Sequence, residues 1–312
     1  MNKNITNNPM MRFQVFSIHL WFWMGLIGIS GCTALKQNTM ENTLKPALAS
    51  VLSAHPEATV GVSVVDLRNG ETFDWQGDVP MHAASTMKVP VMIEAFRQVQ
   101  TGKLRLEEPV LLKNEFRSIV DGSLFSIGDD SDDQTYRELG QTKTVRELIF
   151  QMITVSSNLA TNLLIDRLGA AQVQSTIEQM GTRRMKVRRG VEDLKAFDLG
   201  LNNEATAHDL ALLLAALAQR RATTPELDAE MIEILKAQRF NEMIPQGVPA
   251  GTIVAHKTGE ITAHRHDAAI VYPQNGKPFV LVILIKGISD SDQAYALGQS
   301  ITRLVYQTLR GS

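Results

Sequence analysis

The sequence predicts an α+β fold: an antiparallel five-stranded sheet with flanking N- and C-terminal helices, plus an inserted all-helical domain. Three observations predict it. Runs rich in β-branched residues, separated by Asn-Gly turns, occur near both ends of the chain. The middle, residues 79–249, carries apolar residues at helical spacing. An amphipathic stretch, Asp290 to Arg310, closes the chain with Ala294, Leu297, Ile301, Leu304 and Val305 near one face. At 312 residues and 44% apolar, the chain can bury the core of one large domain or two interleaved ones.

Taken in order, the first element is not part of the fold. Lys3 and Arg12 give a positive start, Phe13 to Ile29 is mostly apolar, and Ile29-Ser30-Gly31-Cys32 follows. A short apolar run ending in small residues reads as a secretory signal. Gln14, Ser17 and His19 interrupt the run, which weakens the alternative of an uncleaved membrane helix. The Ile-Ser-Gly-Cys ending resembles the bacterial lipobox. That resemblance implies cleavage before Cys32, lipidation of its sulfur, and a protein lipid-anchored at the periplasmic face of a bacterial membrane, or a cell-surface lipoprotein. Cys32 is the sole cysteine, so no internal disulfide or cysteine-based metal site can form. Residues 1–31 form the signal and 32–40 a tether. Residues 41–78 with 250–312 form the sheet domain, and 79–249 the helical one.

A helix is expected from Glu41 to about Ala54. Thr59 to Asp66 is a strand, Arg68-Asn69-Gly70-Glu71 a turn suited to positive φ, and Thr72 to Trp75 the returning strand. Helices follow at Val145–Val155, Asn158–Leu168, Ala171–Met180, Ala207–Gln219 and Pro225–Lys236. Gly251 to Glu260, Asp267 to Tyr272 and Phe279 to Lys286 are the remaining strands, the last two joined through Asn275-Gly276. Strands from both termini with helices between them pack most simply as a sheet beside a helical unit.

Charge is balanced, with 31 basic and 33 acidic residues, which excludes the footprint of a nucleic-acid binder. Without residues 1–31, which hold two basic and no acidic residues, 29 basic face 33 acidic residues, formally −4. Arg183, Arg184, Lys186, Arg188 and Arg189 read as a solvated loop or edge strand. Asp129, Asp130, Asp132 and Asp133 lack the spacing and glycine of a calcium loop and read as a solvated insertion. His264 and His266 alternate without a third ligand nearby and read as hairpin surface. No glycine-rich nucleotide loop occurs, so no cofactor and no metal are expected.

The chemistry-bearing residues are sparse and ordered. Ser85-Thr86-Met87-Lys88 is the one Ser-x-x-Lys in the chain, just before the helical run Val89 to Phe96. Residues three apart share a helix face, so Lys88 is expected beside the Ser85 hydroxyl, which needs a neighbouring base to become nucleophilic. Pro90 is tolerable only near a helix start, which places Ser85 in the first turn, where free N–H groups can meet an oxyanion. Ser156-Ser157-Asn158 precedes a helix, and His256-Lys257-Thr258-Gly259 lies on a strand with Lys257 and His256 on opposite faces.

The order Ser-x-x-Lys, Ser-x-Asn, Lys-Thr-Gly resembles the signature set of the penicillin-recognising serine enzymes. From about residue 45 to 312 the chain is similar to the class A β-lactamases and class A-like serine hydrolases. The resemblance implies a β-lactamase/D,D-peptidase-like fold, no cofactor, a monomer, and a small-molecule β-lactam substrate hydrolysed through an acyl-enzyme. In that scheme Ser85 attacks the lactam carbonyl, Lys88 takes its proton, and Ser156 passes one to the leaving nitrogen. Asn158 holds the substrate's side-chain amide. Lys257 and Thr258 bind its carboxylate, beside Gly259, and the backbone N–H groups of Ser85 and Glu260 form the oxyanion hole. In Arg189-Gly190-Val191-Glu192, the candidate base for hydrolysing the acyl-enzyme is Glu192. The chain departs from the family pattern at Ser157 (usually Asp), at Ala196 (usually an Asn that helps hold water), and at Asn203 in the loop neck, where an Asp salt-bridged to an Arg is usual. Arg265 or His266 is expected as a second cation for the substrate carboxylate. Two other readings stay open: a peptidoglycan D,D-peptidase or transpeptidase, and a lipoprotein that binds penicillin without turnover.

Overall fold

A computed structural model of the protein describes residues 39–128 and 130–311. The expected signal segment, most of the tether, Cys32 and Asp129 lie outside them. The central sheet has the order β2-β1-β11-β10-β9, every pairing antiparallel. Its strands are β1 (Thr59–Asp66), β2 (Thr72–Trp75), β9 (Ile253–Ile261), β10 (His264–Tyr272) and β11 (Phe279–Lys286). Two strands come from the start of the chain and three from its end. Short ribbons pair β3 (Met81–His82) with β8 (Glu204–Ala205), β4 (Pro109–Leu111) with β7 (Thr142–Thr144), and β5 (Phe116–Arg117) with β6 (Leu124–Phe125).

Both faces of the sheet are covered, so β11 is apolar and buried from Phe279 to Ile285 rather than alternating. Leu281, Ile283 and Ile285 face the terminal helices α1 (Thr39–Leu52) and α11 (Ser291–Gly311), meeting Leu44, Leu48, Leu297 and Ile301. Val280, Val282 and Leu284 face the other way, into the larger core. That core is shared with α2 (Lys88–Gln100), α4 (Val145–Thr154), α5 (Asn158–Leu168), α6 (Ala170–Gln179), α8 (Ala207–Ala218) and α9 (Pro225–Lys236). Three shorter helices complete the fold: α3 (Asp133–Arg137), α7 (Leu194–Asp198) and α10 (Ile244–Gly247).

The helices start where the sequence supplies caps. Thr144 and Glu147 form a reciprocal capping box on α4, Thr206 caps α8, and Thr224 followed by Pro225 opens α9. The strand expected from Asp267 begins at His264 instead, because His264 to His266 pair with both neighbours, β9 and β11.

Candidate active site

Ser85 lies in a 3-10 turn, Ala84–Met87, that runs directly into α2. Pro90 is the third residue of α2, where a missing N–H leaves no bond unmade. The turn is strained: Ala84 holds a left-handed backbone, φ 45°. Neighbours hold it in place. The Ala84 N–H donates to His82 Nδ1 at 3.0 Å and the Ala83 N–H to the carbonyl of Asn203 at 2.9 Å. Strand β9 lies against the same turn. A Cβ on Gly259 would stand 3.2 Å from both the Ser85 and Thr86 nitrogens, so glycine is what allows this approach.

Lys88 and Lys257 are both fully buried, and the Ser156 hydroxyl sits between them. Their Nζ atoms lie 3.2 and 3.1 Å from Ser156 Oγ. Lys88 also donates to the Ser156 carbonyl at 2.6 Å and to Asn158 Oδ1 at 2.8 Å. Lys88 is expected beside the Ser85 hydroxyl, and its hydrogen bonds run to the segment 156–158. The three N–H donors of the ammonium find three oxygens on the segment 156–158, which satisfies it where a single hydroxyl would not. Burial pulls the Lys88 pKa down to about 7, against the opposing pull of Asp130 and Glu192. Lys257 lies well below the usual lysine range, through burial first and the Lys88 charge second, with Asp267 opposing. Behind Lys257, Asp267 is buried against His256 Nδ1 at 2.9 Å and takes the Ile244 N–H at 3.1 Å.

Glu192 lies on the loop 189–203, and the side chains of Asn162, Asn203, Arg189 and Asp193 shape that loop. Asn162, one turn along α5 from Asn158, accepts from the Val191 N–H at 2.7 Å and donates to the Val191 carbonyl at 2.9 Å. Asn203 closes the neck. Its Oδ1 accepts from the N–H groups of Arg188 and Arg189 at 2.8 and 3.2 Å, and its Nδ2 donates to the Arg189 carbonyl at 3.0 Å. Arg189 is buried and reaches the Leu201 carbonyl and Asn202 Oδ1, so this arginine is not part of a solvated cluster. Asp193 turns away to Ser118 Oγ and the Ile119 N–H, both at 2.9 Å. Glu192 is left with φ 62°, a strained conformation for a non-glycine residue, and its side chain is exposed to the cavity. Ala196, where an amide was in question, is fully buried and does not line that cavity.

Two cavities meet at Ser85. One, about 400 Å³, joins Ser85 and Asn158 to Glu192, Arg189 and His82. The other, about 510 Å³, joins Ser85, Ser156 and Asn158 to Thr258, Glu260 and Arg265. Arg265 and His266 both line the second cavity, and their hydrogen bonding differs. His266 is buried, accepts the Ile285 N–H at Nδ1 and bonds the His82 carbonyl through Nε2. Burial lowers its pKa to about 4, so it is neutral and structural rather than hairpin surface. Arg265 is bonded to Glu260 at 2.7 Å and to the Ile261 and His264 carbonyls.

The acidic stretch is also not merely solvated. Asp130 accepts from the N–H groups of Asn158 and Leu159, and buried Asp132 caps α3. Sequence reading separated Asp130 from its acidic neighbours by no local signal. Asn162 had one: a poor helix former in an apolar run, on the same face as Asn158. Among the described residues no group of three or more His, Cys, Asp or Glu is arranged to hold a metal.

The fold and this set of groups define a class A-like serine enzyme of the penicillin-recognising kind. The β-lactamase enzyme family model matches residues 43–309, and the chain belongs to that family. It is 24% identical over 238 residues to β-lactamase CARB-3 of Pseudomonas aeruginosa, covering 73% of this chain and 77% of that one. It is 25% identical over 271 residues to a β-lactamase of Bacillus amyloliquefaciens, covering 84% of each. Among solved structures, PBP-A superposes with a TM-score of 0.76 at 27% identity, over 86% of this chain and 96% of that one. A PBP-A point mutant held as its acyl-enzyme with penicillin-G gives 0.77 at 26%, over 87% and 97%. A β-lactamase of Sphaerobacter thermophilus gives 0.75 at 27%, over 87% and 98%.

Proposed function

We propose that this chain hydrolyses β-lactams through an acyl-enzyme on Ser85. Neutral Lys88 takes the Ser85 proton, directly or through Ser156, which it already bonds. The electron pair freed at Oγ attacks the lactam carbonyl, and the backbone N–H groups of Ser85 and Glu260 take the developing oxyanion. Ser156, held between the lysines, relays the proton to the leaving nitrogen as the C–N bond breaks. Lys257, Thr258 and Arg265 receive the substrate carboxylate, and the Asn158 amide receives its side chain. Glu192 then removes a proton from water as that water attacks the ester, and Ser85 leaves with a proton.

One observation carries the hydrolytic reading. Glu192 opens on the same cavity as Ser85 and Asn158, on a loop whose backbone is fixed by Asn162 and Asn203. The likeness to a PBP-A mutant solved as its acyl-enzyme with penicillin-G and the apolar residue at Ala196 support a second reading, in which the chain is acylated and turns over poorly.

The experiment is turnover of a chromogenic cephalosporin, read beside intact mass after mixing with benzylpenicillin. The wild type should turn over the cephalosporin. Ser85→Ala should stay folded, lose turnover by several orders of magnitude and take up no penicillin mass. Labelling of the Ser85→Ala protein contradicts the assignment of the nucleophile. A wild type that labels and never turns over favours the second reading.

A further inference from the structure

The second motif lacks the acid its family usually carries in the middle, and Ser157 stands there instead. The structure puts a carboxylate beside the motif from another segment. Helix α5 begins at Asn158, and its first three N–H groups have no partner within the helix. Ser157 Oγ accepts the third of them, from Ala160, at 3.1 Å. Asp130 accepts the other two. Its Oδ2 lies 2.8 Å from the Asn158 nitrogen and 2.9 Å from that of Leu159, and its Oδ1 lies 3.0 Å from Asn158. The neighbouring Ser131 hydroxyl donates to the Val155 carbonyl, which fastens this loop to the other side of the motif.

That arrangement bears on Lys88. Its ammonium is bonded to the Ser156 carbonyl and Asn158 Oδ1, so it sits at the N-terminal end of α5. The helix dipole is positive there and disfavours a cation, and Lys257 adds a second positive charge across Ser156. A carboxylate on the same helix end opposes both. We infer that Asp130 is a positioning residue for acylation: it fixes Asn158 and supplies the counter-charge that governs the protonation of Lys88. This rests on the reading of Lys88 as the acceptor of the Ser85 proton.

The charged and titratable groups around Lys88 are Asp130, Glu192 and Lys257, with Asp267 behind Lys257 and the Tyr136 hydroxyl and Asp132 near Asp130. Of these, Asp130 is the one that bonds the helix end holding Lys88. Asp130 raises the Lys88 pKa, so removing its charge lowers it. Neutral Lys88 is then reached at lower pH.

The test compares wild type, Asp130→Asn and Asp130→Ala by two readouts. The first is the pH dependence of the acylation rate constant with benzylpenicillin, followed by intact mass. The second is the titration of Lys88 by NMR in protein carrying ¹³Cε-lysine, its signal identified by loss in Lys88→Arg. Asparagine keeps an oxygen for the Asn158 N–H and removes the charge. In Asp130→Asn both the acid limb and the Lys88 midpoint should move down by about half a pH unit or more. Asp130→Ala also loses the acceptor, and its acylation should fall roughly tenfold or more at every pH. A Lys88 midpoint in Asp130→Asn equal to that of wild type overturns the inference, whether or not the alanine variant folds. If no β-lactam acylates the wild type, the proposed function fails, and the NMR titration still decides the place of Asp130.

Discussion

At the scale of single residues, the site is a problem of placing two buried ammonium groups. Taking a charge from water into a protein interior costs several kcal/mol, and Lys88 and Lys257 meet that cost in the same small volume. The response is a fall in pKa at both, to near 7 for Lys88 and well below its ordinary value for Lys257. A lysine that is half neutral near pH 7 is a usable proton acceptor, which a solvated lysine is not. The sign follows. Below about 7 Lys88 holds its proton and cannot accept another, and above it the free amine predominates. The acylation rate constant should therefore rise with pH through about 7 and flatten above it, as stopped-flow measurement with a chromogenic substrate would show. A rate independent of pH between 5 and 8 would remove Lys88 as the base. The three motif residues Ser85, Lys88 and Ser156 were legible in the sequence because their types and order are specific. Their hydrogen bonds were not, since the Lys88 ammonium reaches across to a segment 68 residues away.

At the scale of elements, the loop 189–203 shows what makes Glu192 usable. A carboxylate on an exposed loop is ordinary, and here the backbone leading to it is fixed by Asn162 and Asn203. Gly190 passes so close to Asn162 that a Cβ there would lie 2.2 Å from Asn162 Oδ1. Gly190→Ala must therefore push the Asn162 amide off the Val191 backbone, at a cost on the order of 1–3 kcal/mol for the unpaired buried groups. The loop should shift while the acylating groups of the 3-10 turn, α5 and β9 stay in place. Stopped-flow and mass measurements on Gly190→Ala should show near-normal acylation and deacylation slowed at least tenfold. Equal losses in both steps would mean that the loop serves the whole site. The helices and strands themselves were readable from pattern: β1, β11, α5 and α9 fall where alternation, caps and turns place them. Asn203 was seen as a missing acid. That its amide would close the neck on both Arg188 and Arg189 was beyond reach, because an amide satisfies two backbone strands only once both are in place.

At the scale of the whole molecule, the fold brings three distant segments to one point. The nucleophile turn follows the first hairpin, Ser156 follows α4, and Lys257 lies on β9, whose partner β10 is paired in turn to β11, the strand packed on the terminal helices. Sequence reading could predict the sheet from strands at both ends, since that follows from apolar pattern alone. It could not predict that His266, read as hairpin surface, and Asp267, read as a strand start, would be buried supports, because burial on β10 is set by what packs over it. Membrane anchoring through Cys32 is a further proposal at this scale. Cys32→Ser should release the protein from the detergent-extracted membrane fraction, since each buried CH₂ of an acyl chain contributes roughly 0.8 kcal/mol. Unchanged partitioning would point to an uncleaved helix or a protein partner. The central claim, that Ser85 is acylated and Glu192 frees it, is tested most directly by Glu192→Gln. Intact mass with time after mixing with benzylpenicillin should show this variant acylating within roughly tenfold to a hundredfold of the wild-type rate. Its adduct should then persist on the order of 10²–10⁴ times longer. A Glu192→Gln protein that clears its adduct as fast as the wild type would contradict the account.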